Sequence, residues 1–122
     1  MRLWDLEYVD IASKEARRFL DERQFAHAVD LCTQLAREPI PGNADLVDVE
    51  RIEDFFELRD KGGVLGKINL RIYFAVLDSD KTIVILGCWK KEAEGKVPHH
   101  KIVCMRSRLR FVKSVKQKKG KA

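Results

Sequence analysis

The sequence has no apolar run approaching the roughly 20 residues that a membrane-spanning helix needs, which argues against a helical membrane span. Its start, MRLWDLEYVD, places acids where a signal peptide carries an apolar segment, so cytoplasmic residence and no membrane partner are expected. Cysteine is scarce. Cys32, Cys88 and Cys104 are odd in number, widely spaced and form no CxxC pair, so they supply no disulfide framework and read as small core hydrophobes. Histidines do not join them at ligand spacing, since two of the three, His99 and His100, are adjacent. No metal and no cofactor are expected. Neither proline nor glycine occurs between Ser13 and Arg37, and the chain has no internal repeats. Acids are rare in the second half.

That last scarcity shapes the charge distribution. Residues 1–60 hold 8 Lys/Arg against 15 Asp/Glu, a net of −7, whereas residues 61–122 hold 16 against 4, a net of +12. Such asymmetry points the second half toward a polyanion or an acidic partner. Some of it is expected to cancel within the fold. At 122 residues, with 45% hydrophobic and 35% charged residues, the chain fits one globular domain. We place that domain at residues 1–115, followed by a basic tail, 116–122, without structure.

Periodicity supplies the elements. LWDLEYV alternates Trp4, Leu6 and Tyr8 against Asp5 and Glu7, the pattern of a half-buried strand. Ser13 reads as a helix N-cap. Ile11, Ala12, Ala16, Phe19 and Leu20 form one apolar stripe, and Ala28, Leu31, Cys32 and Leu35 form another. The polar DERQ between them, Asp21 to Gln24, predicts a helical hairpin. EPIPGN ends the helical region, and ADLVDVERIED reads as loop with a short strand. DFFELR, KINLRIYFAVLD and KTIVILGCW are strands, joined as an antiparallel meander by the turn-rich DKGGVLG and DSDK. A small acidic, glycine-containing loop then leads to Pro98, after which Ile102, Met105, Leu109 and Val112 recur at helical spacing. The expected fold is α+β: a small antiparallel-rich sheet with an N-terminal helical hairpin and a C-terminal helix, order β-α-α-β-β-β-α. Helices cover one sheet face and leave the other free.

Alternation assigns the faces. Ile68, Leu70, Ile72, Phe74 and Val76 belong to the core, as do Phe56 and Leu58. Asn69, Arg71 and Tyr73, with Phe55, Glu57 and Arg59, go to the opposite face, where an antiparallel pair sets Glu57 and Arg59 beside Arg71 and Tyr73. Ile83 to Trp89 is apolar on both faces and reads as central, with Lys90 and Lys91 at its end aimed one to each face. His99 and His100 open the final helix. Arginine recognises phosphate through several planar donors, lysine as a point charge, and histidine moves protons near neutral pH. Together they suit an RNA phosphate. Each has a blander reading too: Glu57–Arg59 as a surface pair, the lysines as a blunted strand end, the histidines as a solvated first turn, and Arg106, Arg108 and Arg110 as a wet helix face on which only Arg106 and Arg110 share a side.

Taken in order, FFELR, LRIYFAVLDSDKTIVILGCWKK and the following VP resemble the RelE/ParE superfamily of toxin–antitoxin toxins, closest to its HigB-like, phage-related branch. The resemblance spans roughly Leu46 to Leu109 and implies a RelE-like fold. By the same token it implies a metal-independent, ribosome-dependent mRNA endonuclease, in which the substrate's 2′-hydroxyl attacks the adjacent phosphate. Arg71 then matches the strand arginine on the scissile phosphate, Lys90 and Lys91 the basic pair after the last strand, and His99 or His100 the proton-transfer position. Glu57, Arg59 and Tyr73 fall to substrate binding, with a structural role open for Arg59. The sequence departs from RelE, which has a lysine-rich second strand and an aromatic near the final helix. Implied partners are a cognate antitoxin, itself DNA-binding, and mRNA in the ribosomal decoding site. The alternatives are a ParE-like toxin inhibiting gyrase and a non-catalytic RNA- or protein-binding member of the fold.

Overall fold

The structure, a computed structural model, describes residues 3–91 and 97–120. Five strands and three helices follow in the order β1 (Asp5–Tyr8), α1 (Asp10–Arg17), α2 (Glu22–Leu35), β2 (Asp48–Arg51), β3 (Phe56–Lys61), β4 (Asn69–Leu77), β5 (Thr82–Lys90) and α3 (His99–Gly120). They form one sheet, ordered β1-β5-β4-β3-β2. The meander β2 to β5 is antiparallel, and β1 joins β5 in parallel. This is the expected α+β architecture, with the short strand of the ambiguous segment realised as β2. Gly62 (φ 80°) and Gly66 (φ 62°) give the β3–β4 connection the positive φ that side chains resist. Among the described residues no helix is long and apolar enough to cross a membrane.

The hairpin forms as the polar gap predicts, because DERQ is the start of α2. Asp21 accepts from the Gln24 N–H (2.8 Å) and the Asp21 N–H donates to the Gln24 side chain (3.0 Å), a reciprocal capping box. Ser13 is not an N-cap. Val9 donates its N–H to the Ile85 carbonyl (3.0 Å), the last bond β1 makes to the sheet, and the chain turns helical at once, with Asp10 at the positive helix end. Ser13 therefore sits inside α1.

Ala12, Ala16, Leu20, Ala28, Leu31, Cys32 and Leu35 pack on Leu58, Leu70, Ile72, Phe74, Ile83 and Ile85. On α2, His27 meets Asp60 of β3 at 2.7 Å and ties the hairpin to the meander. The opposite face, expected to be free, is covered by α3. Met105 and Leu109 pack on Phe55, Tyr73, Ala75, Val84 and Leu86, all nearly inaccessible. Phe55, Val84, Leu86, Met105 and Leu109 left in water would each forfeit ~1.5–3 kcal/mol, so a sheet apolar on both faces cannot stay bare on one. Among the described residues, the end of this face bearing Asn69, Arg71 and Arg59 lies outside that second core. Burial pushes the thiols of Cys32 (to about 12) and Cys88 above the ordinary range, as suits packing groups, while Cys104 is half-buried.

One junction joins the layers. Pairing of β4 with β5 skips a residue: Phe74 faces Ile85, and Tyr73 faces Gly87. Leu86 is the extra residue of this bulge. Here β1 has ended, and Arg108 of α3 donates to the Leu86 carbonyl (2.8 Å) and to both carboxylate oxygens of Glu15 on α1 (2.8 and 2.9 Å). Glu15 in turn accepts the Cys88 N–H (3.2 Å). Arg108 is thus not part of a wet face. Arg106 does lie on a solvated side of α3, where it binds Glu53 through two bonds (3.0 and 2.7 Å). The basic segment from residue 116 continues α3 as far as Gly120, with Lys116 at 3.1 Å from Glu7.

Two predictions follow from this junction. A Cβ on Gly87 would lie 2.6 Å from Met105 Cε and 2.7 Å from Arg108 Nη1, so Gly87→Ala should cost about 1–3 kcal/mol in urea unfolding. Arg108→Leu, which strands Glu15, should cost roughly 3 kcal/mol, and Arg108→Leu with Glu15→Leu less than the sum of the single changes.

Candidate functional site

The β3–β4 register sets Arg59 opposite Arg71 and Glu57 opposite Tyr73, the neighbourhood the alternation predicts. Two guanidiniums directly across a sheet repel, and three carboxylates offset that. Arg59 donates to Glu50 (2.6 Å) and Asp48 (3.0 Å) of the edge strand β2. Arg71 has Nε 3.5 Å from Glu57 Oε1, and its Nη1 donates to the Asn69 side chain and to the Leu70 carbonyl (3.1 Å). Arg71 is 9% exposed. In both arginines Nε is buried without a hydrogen-bond acceptor.

Glu57, 2% exposed, lies beneath them. Desolvation raises its pKa, while the Tyr73 hydroxyl (3.0 Å) and the charges of Arg71, Arg59 and Lys91 pull it back. Burial first, and then the Glu57 charge, pushes the Tyr73 phenol far above its ordinary value. Trp89 Nε1 donates to that same phenol oxygen at 2.7 Å. Tyr73 is wholly buried and turned inward, so its hydroxyl serves Glu57 and offers no surface to a ligand.

Two grooves meet at Arg59. One is lined by Arg71, Asn69, Lys61, Asp48 and Asp60, the other by Glu57, Lys91, Glu50, Val97 and Ile102. The two lysines part company: Lys91 lines the second groove, whereas Lys90 is exposed and stands in register with Leu70, whose side chain belongs to the hairpin core. His99 and His100 are exposed on the first turn of α3 and line neither groove. His99 instead adds to the field that holds Glu53 below the usual carboxylate range, an effect due first to Arg106. The acidic loop, residues 92–96, lies outside the described residues.

Sequence reasoning put Asn69 on the face of Arg71 without giving it a role, and missed Lys61 on the Arg71 groove, the β2 acids on Arg59, and Lys101, whose ammonium sits 5.1 Å from the centre of the Trp89 ring. Asp48 and Glu50 alternate in a short, turn-bounded run, and that period was the available signal. Among the described residues no group of three or more His, Cys, Asp or Glu is placed to hold a metal ion. What the grooves present is a set of partly satisfied cation donors, suited to an anion with several acceptor oxygens.

No protein-family model matches the sequence, and no curated protein matches it. Among solved structures the chain is similar to a chain of the toxin–antitoxin complex RelBE2 from Mycobacterium tuberculosis. The two share 21% identity with a TM-score of 0.55, over 75% of this chain and 94% of that one. The likeness is one of fold and agrees with the RelE-like α+β arrangement.

The Arg59 clamp is the main side-chain tie on β2, so Arg59→Met should speed amide hydrogen exchange in Asp48–Arg51. Because its acceptors are more than half exposed, global stability should fall by only about 1 kcal/mol.

Proposed function

We propose that this chain is the toxin of a type II toxin–antitoxin pair, of the HigB-like kind, and cuts mRNA in the ribosomal decoding site. The observation that carries the reading is the Arg71–Arg59 pair, set opposite each other on β4 and β3 of a RelE-like sheet and lining two grooves that share Arg59.

A phosphodiester lying in the grooves is held by the guanidinium edges of Arg71 and Arg59 that line them. The substrate's 2′-oxygen then bonds to phosphorus as the bond to the 5′-oxygen breaks, leaving a 2′,3′-cyclic phosphate and a 5′-hydroxyl. Negative charge grows on the non-bridging oxygens, and Arg71 with Lys91 stabilises it. The 2′-hydroxyl proton needs an acceptor and the departing 5′-oxygen a donor. His99 and His100 are assigned to this transfer: they open α3 one turn before Ile102, which lines the Lys91 groove. Arg59 holds the flanking backbone, and Lys90 meets RNA from outside the grooves. Glu57 and Tyr73 act from beneath the site.

A cognate antitoxin, DNA-binding in its own right, is the proposed protein partner, its acidic or apolar segment covering the arginine grooves. The similarity to a chain of a toxin–antitoxin complex supports this. The cytoplasm, where translation runs, is the proposed location.

Induction in a bacterial host followed by primer extension on a translated transcript tests the reading. The expected result is cleavage within codons that disappears when translation is blocked. Arg71→Ala should lower it at least ~100-fold with the circular dichroism spectrum unchanged. Growth arrest with intact mRNA and trapped gyrase–DNA complexes would replace this reading with the ParE-like one, and absence of any toxicity would leave a binding module.

A further inference from the structure

We propose that Trp89, Tyr73 and Glu57 form a buried positioning relay that aims the Arg71 guanidinium. The inference rests on the reading of Arg71 as the phosphate-binding group. It concerns how that group is held.

Direction along the relay is forced by the donors present. An indole N–H only donates, so Trp89 must occupy a lone pair of the Tyr73 oxygen (2.7 Å). The single phenolic proton is then free for one acceptor, Glu57 Oε2 at 3.0 Å. With Oε2 fixed, Oε1 faces Arg71 Nε across 3.5 Å, too far for a hydrogen bond and close enough for charge to act. Bonds from Nη1 to Asn69 and the Leu70 carbonyl complete the hold, and Nη2 has no partner among the described residues. Tyr73 and Glu57 lie under α3 at 0% and 2% exposure, so the relay acts through Arg71 without touching RNA.

A plain core cluster would need none of this. Phenylalanine at position 73 and an apolar residue at position 57 would fill the same space, without the desolvation cost of an acid. Retaining Glu57 has a chemical consequence: its charge state decides how firmly Arg71 is held. The groups facing it are Glu50 opposite on β2, Arg59 on β3, Arg71 and Tyr73 on β4 and Lys91 after β5; α3 contributes Ile102 and, over the Trp89 ring, Lys101. The Tyr73 hydrogen bond favours the carboxylate, so its loss must move the Glu57 titration to higher pH.

Tyr73→Phe, which keeps the ring and its packing, is the test. Carboxyl 13C NMR follows Glu57 and 15N NMR follows the Arg71 Nε–H. In the wild-type protein the Arg71 signal should track the Glu57 titration, and in Tyr73→Phe both midpoints should move up together. In the ribosome-dependent assay the same variant should lose about 10-fold in kcat with KM little changed, as misaim of a transition-state contact requires, and the acid limb of its pH profile should shift upward. Glu57→Gln should abolish that limb. An Arg71 signal indifferent to the Glu57 titration, or a Tyr73→Phe variant with unmoved midpoints, overturns the relay. The NMR arm uses no RNA, so a protein that cleaves nothing defeats the functional reading alone and leaves the relay to be decided by the Arg71 signal.

Discussion

Everything in this fold is arranged around the bond set that joins Arg108 and Glu15 over the bulge of β5. Strand β1 accompanies β5 only as far as Ile85, so the next edge groups, the Leu86 carbonyl and the Cys88 N–H, would face the interior unpaired. Arg108 satisfies the first and Glu15 the second, while the two side chains neutralise each other. With both side chains only 15% exposed, a lone member would be expensive. The pair therefore requires α1 and α3, from opposite ends of the sequence, to be in place together. Gly87 lies beneath it, and a Cβ there would force the ends of the Met105 and Arg108 side chains to shift.

The same bulge decides what reaches the candidate site. Without the extra residue at Leu86, strict alternation would put Trp89 on the face of Ile83, under the hairpin. The skipped residue reverses the parity, so Trp89 lies on the face of Tyr73 and Lys91 follows it toward Glu57. Lys90 is turned to the other side. A backbone irregularity upstream in β5 thus selects which of two adjacent lysines belongs to the grooves.

That dependence explains how far the residues could be read in advance. Where side-chain period alone decides, reading was sufficient: the apolar positions of β4, the stripe of Ala28, Leu31, Cys32 and Leu35, and the approach of Glu57 and Arg59 to Tyr73 and Arg71 are consequences of periods 2 and 3.6. The bulge was not legible, because nothing in TIVILGCW but one glycine distinguishes it from a regular strand. Nor was the cover of α3 over the second face, although Tyr73, Ala75, Val84 and Leu86 demanded a cover of some kind. Alternation stated that Arg71 leaves the hairpin core. It did not state that its neighbour Tyr73 would be buried beneath a third helix.

Charge asymmetry also takes a different meaning in three dimensions. Much of the basic excess of the second half lies on α3, and there Arg106, Arg108, Lys113 and Lys116 each meet an acid of the first half: Glu53, Glu15, Asp54 and Glu7. The two halves are complementary before any partner arrives, so total charge is a poor guide to a polyanion surface. Arg59 and Arg71 are distinguished by the quality of their partners instead. Asp48 and Glu50 on Arg59 are 63% and 54% exposed, so releasing them to water costs little. The acid beside Arg71 stands at 3.5 Å rather than in a hydrogen bond. Such contacts hold the guanidiniums in place, and a phosphate bound at Arg59, as proposed above, would displace only the solvated carboxylates of Asp48 and Glu50, whereas Glu57 beside Arg71 is buried. A tightly bonded pair such as Arg108–Glu15 could not do that work, and it lies elsewhere, where permanence is required.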